Sequence, residues 1–116
     1  DYPAALALGD PLTREQTGQD AAAFNRALRT SIDALQLALG AGHTIEIFDT
    51  HAFQKAIVRD PAAHGIDPDT QTPCYDAPAA TGDSKLFVDG AHLAKRAQAL
   101  LAADIVRHLV LQRAEA

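Results

Sequence analysis

Leu86-Phe87-Val88-Asp89-Gly90-Ala91-His92-Leu93 is the stretch on which the reading of the fold turns. Lys85 to Val88 reads as a short extended run of mostly apolar residues. Asp89 stands three residues before His92 at the exit of that run, and a long helical pattern starts directly behind it. An extended segment feeding a helix is the repeating unit of layered α/β architectures. The same spacing can bring a carboxylate beside an imidazole, the arrangement in which an acid orients the base of a hydrolytic triad. Asp-x-x-His is a common motif, and on these residues alone a second reading stands beside the first: Asp89 caps the last helix and His92 packs at its first turn.

Working outward, Ala97, Leu100, Leu101, Ile105 and Leu109 recur at helical spacing, which predicts a helix from Ala94 to about Arg113. Upstream, Phe24, Leu28, Ile32, Leu35 and Leu39 mark another helix face, with Asp20 as its cap and Gly40 and Gly42 as its end. His43 to Asp49 is rich in β-branched and aromatic residues and predicts a strand. Asp49 or Thr50 then caps a shorter helix over about residues 51–59, stopped by Asp60-Pro61. Residues 1–19 carry Pro3, Gly9, Asp10, Pro11 and Gly18 and read as a loop. Residues 60–84 form a long irregular connection, of the kind often used for function. The order helix–strand–helix–loop–strand–helix predicts an α/β layer fold.

The 116 residues suffice for one small domain with a single core. They include 10 basic and 15 acidic residues, a net charge of −5 spread without clusters, which argues against nucleic acid or an anionic membrane surface as partner. No apolar run of about 18 residues is present, so no membrane span is expected. Methionine is absent and residue 1 is aspartate, from which a processed chain, an excised domain or a fragment is expected. The lone Cys74 excludes a disulfide within these residues.

Several features stand in one order: Phe24-Asn25-x-x-Leu28 in a helix, Ile45-Glu46-Ile47-Phe48-Asp49 ending in an acid, Asp60-Pro61-x-x-His64-Gly65-Ile66, Cys74, and Phe87-Val88-Asp89-x-x-His92 running into a helix. This order resembles the C-terminal half of the GDSL-type (SGNH) serine esterases and lipases, and the resemblance covers nearly all of residues 1–116. It implies the C-terminal part of a flavodoxin-like α/β/α sandwich with a mostly parallel sheet. It also implies hydrolysis of carboxylic esters of lipids, acylated sugars or small alcohols, without metal or organic cofactor, in a secreted or cell-envelope setting. By the same resemblance Asp89 is the triad acid and His92 the general base. The family block usually continues His-Pro-Thr, whereas this chain has His92-Leu93-Ala94. The family's nucleophile block and its oxyanion donors have no counterpart among residues 1–116. Their order would put them before residue 1, on the remaining N-terminal part of the enzyme, which is thus an expected partner beside the ester substrate.

Gly82-Asp83-Ser84-Lys85 imitates the missing nucleophile block but lies in a Pro/Gly-rich loop only eight residues before His92, and reads as a turn. Gly9-Asp10-Pro11-Leu12 is a second imitation, with proline where serine would be. Cys74 as a nucleophile lacks a neighbouring activating group, so a buried thiol or half of a disulfide to another segment is expected. His43, His51, His64 and His108 lack tight ligand spacing and are expected to be solvated or capping. His64-Gly65 reads as a turn, with a substrate-side role for its loop as the alternative. The rival to an ester hydrolase is a non-catalytic α/β binding or interaction domain. Three expectations follow. The Asp89 carboxylate lies within, or one small rotation from, hydrogen-bond reach of the His92 ring. The isolated chain has no appreciable esterase activity. The chain is bound to the remaining part of its own enzyme or associates through its sheet edge and helix faces, with Tyr2-Pro3 marking a cut just after a missing strand.

Overall fold

The computed structural model describes residues 10–78 and 82–115, which divide into two compact units, one of residues 10–47 and one of residues 48–78 and 82–115. The first holds helix α1, Pro11–Leu39. The second holds α2, Thr50–Arg59, and α3, Lys95–Glu115, joined by an irregular run with 3-10 turns at Ala62–His64, Cys74–Asp76 and Gly82–Ser84.

The expected α/β sandwich with a parallel sheet is overturned: among the described residues there is no strand and no sheet, only an isolated antiparallel bridge between Phe87 and Leu93. Both expected strands found other partners. Gln36 captures the first, with its amide oxygen accepting from Ile45 N–H at 2.8 Å and its amide nitrogen donating to the His43 carbonyl. Along the second, the carbonyls of Leu86, Phe87 and Val88 accept from Ala94, Cys74 and Tyr75 respectively. Backbone groups satisfied this way need no sheet.

The helix α1 also corrects the expected N-terminal loop, because residues 11–19 are helical. Asp10 caps the helix, its carboxylate accepting from Leu12 N–H at 3.1 Å and from the Thr13 hydroxyl at 2.7 Å. Pro11 occupies the first helical position, where its missing N–H costs nothing. Gly18 is carried inside the helix at a cost of about 1 kcal/mol relative to alanine. At the far end Gly40 adopts φ 77° and its N–H returns to the Gln36 carbonyl. Residues 1–9, with Tyr2, Pro3 and Gly9, lie outside the described residues, as do residues 79–81 of the long connection.

The core lies in the second unit. Phe53 and Ile57 from α2, Ile66, Leu86 and Phe87 from the connection, and Ala94 and Ala97 at the start of α3 are buried. Phe48, Leu93, Leu100 and Leu101 pack against that cluster. Ile57 and Leu86 are the most completely enclosed large side chains, each worth roughly 1.5–3 kcal/mol of apolar burial. α2 keeps its expected span within one residue because Asp49 caps it, accepting from Ala52 N–H at 2.8 Å, and Pro61 follows its end. No helix among the described residues is long and apolar enough to cross a membrane.

Candidate functional site

The Asp89–His92 segment is mounted on the core. Leu86 and Phe87 are buried, which fixes the run that precedes it, and Ala94 is buried just beyond it. Val88 N–H donates to the His92 carbonyl at 2.8 Å and Ala94 N–H to the Leu86 carbonyl at 2.9 Å, so residues 88–92 close into a tight loop. Cys74 N–H donates to the Phe87 carbonyl at 2.8 Å and Tyr75 N–H to that of Val88 at 3.3 Å, which ties the same run to the 74–76 turn.

Within the loop, Asp89 Oδ1 accepts from the backbone N–H groups of Ala91 at 2.9 Å and His92 at 2.8 Å. His92 Nδ1 lies 2.8 Å from Asp89 Oδ2 and 3.1 Å from Oδ1. The pair thus falls within the expected hydrogen-bond reach. The two backbone donors, His92 first and Ala91 next, with the His92 ring after them, hold the Asp89 carboxyl down at about 2. An ionised carboxylate can only accept, so Nδ1 of neutral His92 carries the proton and Nε2 keeps its lone pair. The His92 side chain is 80 % exposed and Asp89 39 %. Among the described residues no hydrogen bond is made to Nε2, which leaves it open to a proton donor from elsewhere.

Among the described residues the other sequence candidates make no hydrogen bond to the His92 ring. Gly82–Ser84 is a 3-10 turn whose Ser84 carbonyl accepts from Asp67 N–H at 2.7 Å, and His92 makes no hydrogen bond to Ser84. The Cys74 thiol donates to the Gly82 carbonyl at 2.7 Å and is half-buried, a structural placement rather than that of an activated nucleophile. His64 ends the Ala62–His64 turn, followed by Gly65 at φ 69°. His108 is half-buried and meets the Phe48 ring edge-on at a centroid distance of 6.0 Å, which corrects the expected solvated or capping role. No group of three or more His, Cys, Asp or Glu residues placed to hold a metal occurs among the described residues.

Sequence reasoning missed Lys85. It is buried, with its ammonium 3.1 Å from Asp67 and 3.6 Å from Asp69. The only signal was a basic residue opening an otherwise apolar run, with two acids at a spacing of two in the preceding loop.

No protein-family model matches the chain, and no curated protein or solved structure matches it either.

Proposed function

We propose that this chain carries the acid and base of a Ser-His-Asp carboxylic ester hydrolase, Asp89 orienting and His92 acting as general base, as the resemblance to GDSL-type esterases and lipases implies. The observation that carries the reading is the 2.8 Å contact between His92 Nδ1 and Asp89 Oδ2 on an exposed loop. Nε2 accepts the proton of a serine hydroxyl while Oγ attacks the ester carbonyl. The resulting imidazolium, stabilised by Asp89, returns that proton to the leaving alcohol oxygen as the carbon–oxygen bond breaks. Water then repeats the cycle on the acyl-enzyme, with His92 again as base. The serine and the oxyanion donors come from outside residues 1–116, and the substrate is a lipid or small acyl ester.

Hydrolysis of p-nitrophenyl butyrate tests this. The chain alone is expected to give no turnover beyond that of free imidazole. In a polypeptide that joins it to the nucleophile segment, His92→Ala lowers kcat by about four orders of magnitude or more. Turnover by the chain alone that disappears in Ser84→Ala would transfer the nucleophile to the 82–84 turn and overturn the proposal.

One observation favours a second reading, a non-catalytic interaction domain. Asp89 already closes its loop through the Ala91 and His92 amides, a purely structural task. On that reading His92→Ala leaves any ester turnover of the joined polypeptide intact.

A further inference from the structure

We propose that Lys85 is a positioning residue for the Asp89–His92 pair, its buried ammonium bracing the loop over residues 67–72 against the run that carries the pair. The inference rests on the functional reading above and extends it to a residue that touches neither side chain.

The path is continuous. The Lys85 side chain is 6 % exposed, so its charge needs partners. Asp67 supplies one at 3.1 Å and Asp69 a second at 3.6 Å. Both acids are themselves braced. Asp67 Oδ1 accepts from Asp69 N–H at 2.8 Å, and Asp69 Oδ1 accepts from Gln71 N–H and Thr72 N–H, each at 3.1 Å. Asp67 N–H donates to the Ser84 carbonyl, immediately before Lys85. The loop so ordered runs straight into Pro73, Cys74 and Tyr75, and the amides of Cys74 and Tyr75 hold the Phe87 and Val88 carbonyls. Val88 in turn donates to His92 and precedes Asp89. Lys85 therefore fixes both sides of the ladder on which the pair stands.

A buried ion pair is a weak device for stability, since desolvation consumes most of its attraction; its better-attested use is to select one arrangement among several. The arrangement selected here is a carboxylate set against Nδ1. The neutral ring of a histidine side chain free in water favours the proton on Nε2, so the proton on Nδ1 is a signature of the positioned pair and not of folding in general. Burial pulls the Lys85 ammonium toward its neutral form, but the hydrogen bond and charge of Asp67 with the charge of Asp69 outweigh it and raise its pKa, so the brace is charged across the range of enzyme assays.

The test is nitrogen NMR of the 116-residue chain at a pH where His92 is neutral, comparing the parent with Lys85→Met and Asp67→Asn. Two readouts are taken: the His92 tautomer, and hydrogen exchange of the Ala91 and His92 amides bonded to Asp89. The parent is expected to show the Nδ1–H tautomer. In Lys85→Met the tautomer population shifts toward Nε2–H and the two amides exchange at least tenfold faster, while amides in the middle of α3 keep their parent protection. Asp67→Asn retains side-chain volume and an acceptor oxygen, and moves both readouts in the same direction; it decides the matter if Lys85→Met fails to fold. Parent behaviour at His92 in a folded variant overturns the positioning role alone. A parent chain that lacks the Nδ1–H tautomer overturns the pair itself, and this assignment with it.

Discussion

Asp89 does two things with one carboxylate, and the two make separable predictions. Its Oδ1 closes the loop on the Ala91 and His92 amides, while Oδ2 makes the shorter contact to His92 Nδ1. The donors hold its carboxyl at about 2, below the ordinary value of 3.8. A depressed folded-state pKa means that the charged form stabilises the fold: its contribution is complete above about pH 4 and is lost as pH falls through about 2. A carbon NMR titration of the Asp89 carboxyl is expected to show a midpoint near 2, and a midpoint near 4 would mean that the loop does not hold the side chain. Asp89→Asn separates the two tasks. The amide oxygen can still accept from the backbone, so the loop persists, but the amide nitrogen can face the ring and put the proton on Nε2. In the joined polypeptide of the proposed hydrolase this is expected to reduce kcat about 10⁴-fold with little loss of stability. A loss as small as a few-fold would contradict the orienting role.

The helices rest on local devices that can be removed singly. Asp49→Ala takes away the acceptor for Ala52 N–H at the start of α2 and is expected to cost about 1 kcal/mol in a urea titration, because that helix carries Phe53 and Ile57 into the core. An unchanged midpoint would show the cap to be idle. These devices are also why α2 and α3 were legible beforehand. Ala97, Leu100 and Leu101 repeat at helical spacing and do face the core, and Asp49 and Pro61 bracket α2. The Asp89–His92 contact was legible for the same reason: the four residues of one turn decide it. The sheet was not, because a strand exists only with a partner. Whether Ile45 pairs with a strand or with the Gln36 side chain nine residues back is settled by distant choices that β-propensity does not encode. The start of α1 was misplaced because Pro11 and Gly18 read as breakers, although a proline behind a capping Asp10 marks a beginning. Lys85 escaped because its partners lie 18 and 16 residues away.

The distribution of apolar residues sets the behaviour of the chain in solution. Among the described residues seven apolar side chains are buried: Phe53, Ile57, Ile66, Leu86, Phe87, Ala94 and Ala97. Large apolar side chains left exposed are more numerous: Leu12, Phe24, Leu28, Leu35, Leu37 and Leu39 on α1, Val106, Leu109, Val110 and Leu111 on α3, with Val58 and Tyr75 beside them. Scattered exposed leucines are ordinary, but α1 buries none of its residues, and its Phe24, Leu28, Leu35 and Leu39 recur along one face. A helix gains most of its stability in a protein from packing an apolar face, and within residues 10–47 nothing buries that face of α1. The Val106–Leu111 group leaves a second apolar surface on α3. Association follows from surfaces of this kind, since removing them from water gives roughly 25 cal/mol per Å². The chain is therefore expected to run above its monomer mass of 12.3 kDa in size-exclusion chromatography with light scattering, with the average mass rising with concentration. Substituting Leu28 and Leu35 together by glutamine is expected to lower that mass at fixed concentration, because both sit on the α1 face and neither belongs to the core. A parent chain that stays at 12.3 kDa at every concentration and unfolds in one cooperative step would show that these faces need no cover. The small core around Ile57 and Leu86 would then be sufficient by itself, and the case for a partner polypeptide would rest on the chemistry of Asp89 and His92 alone.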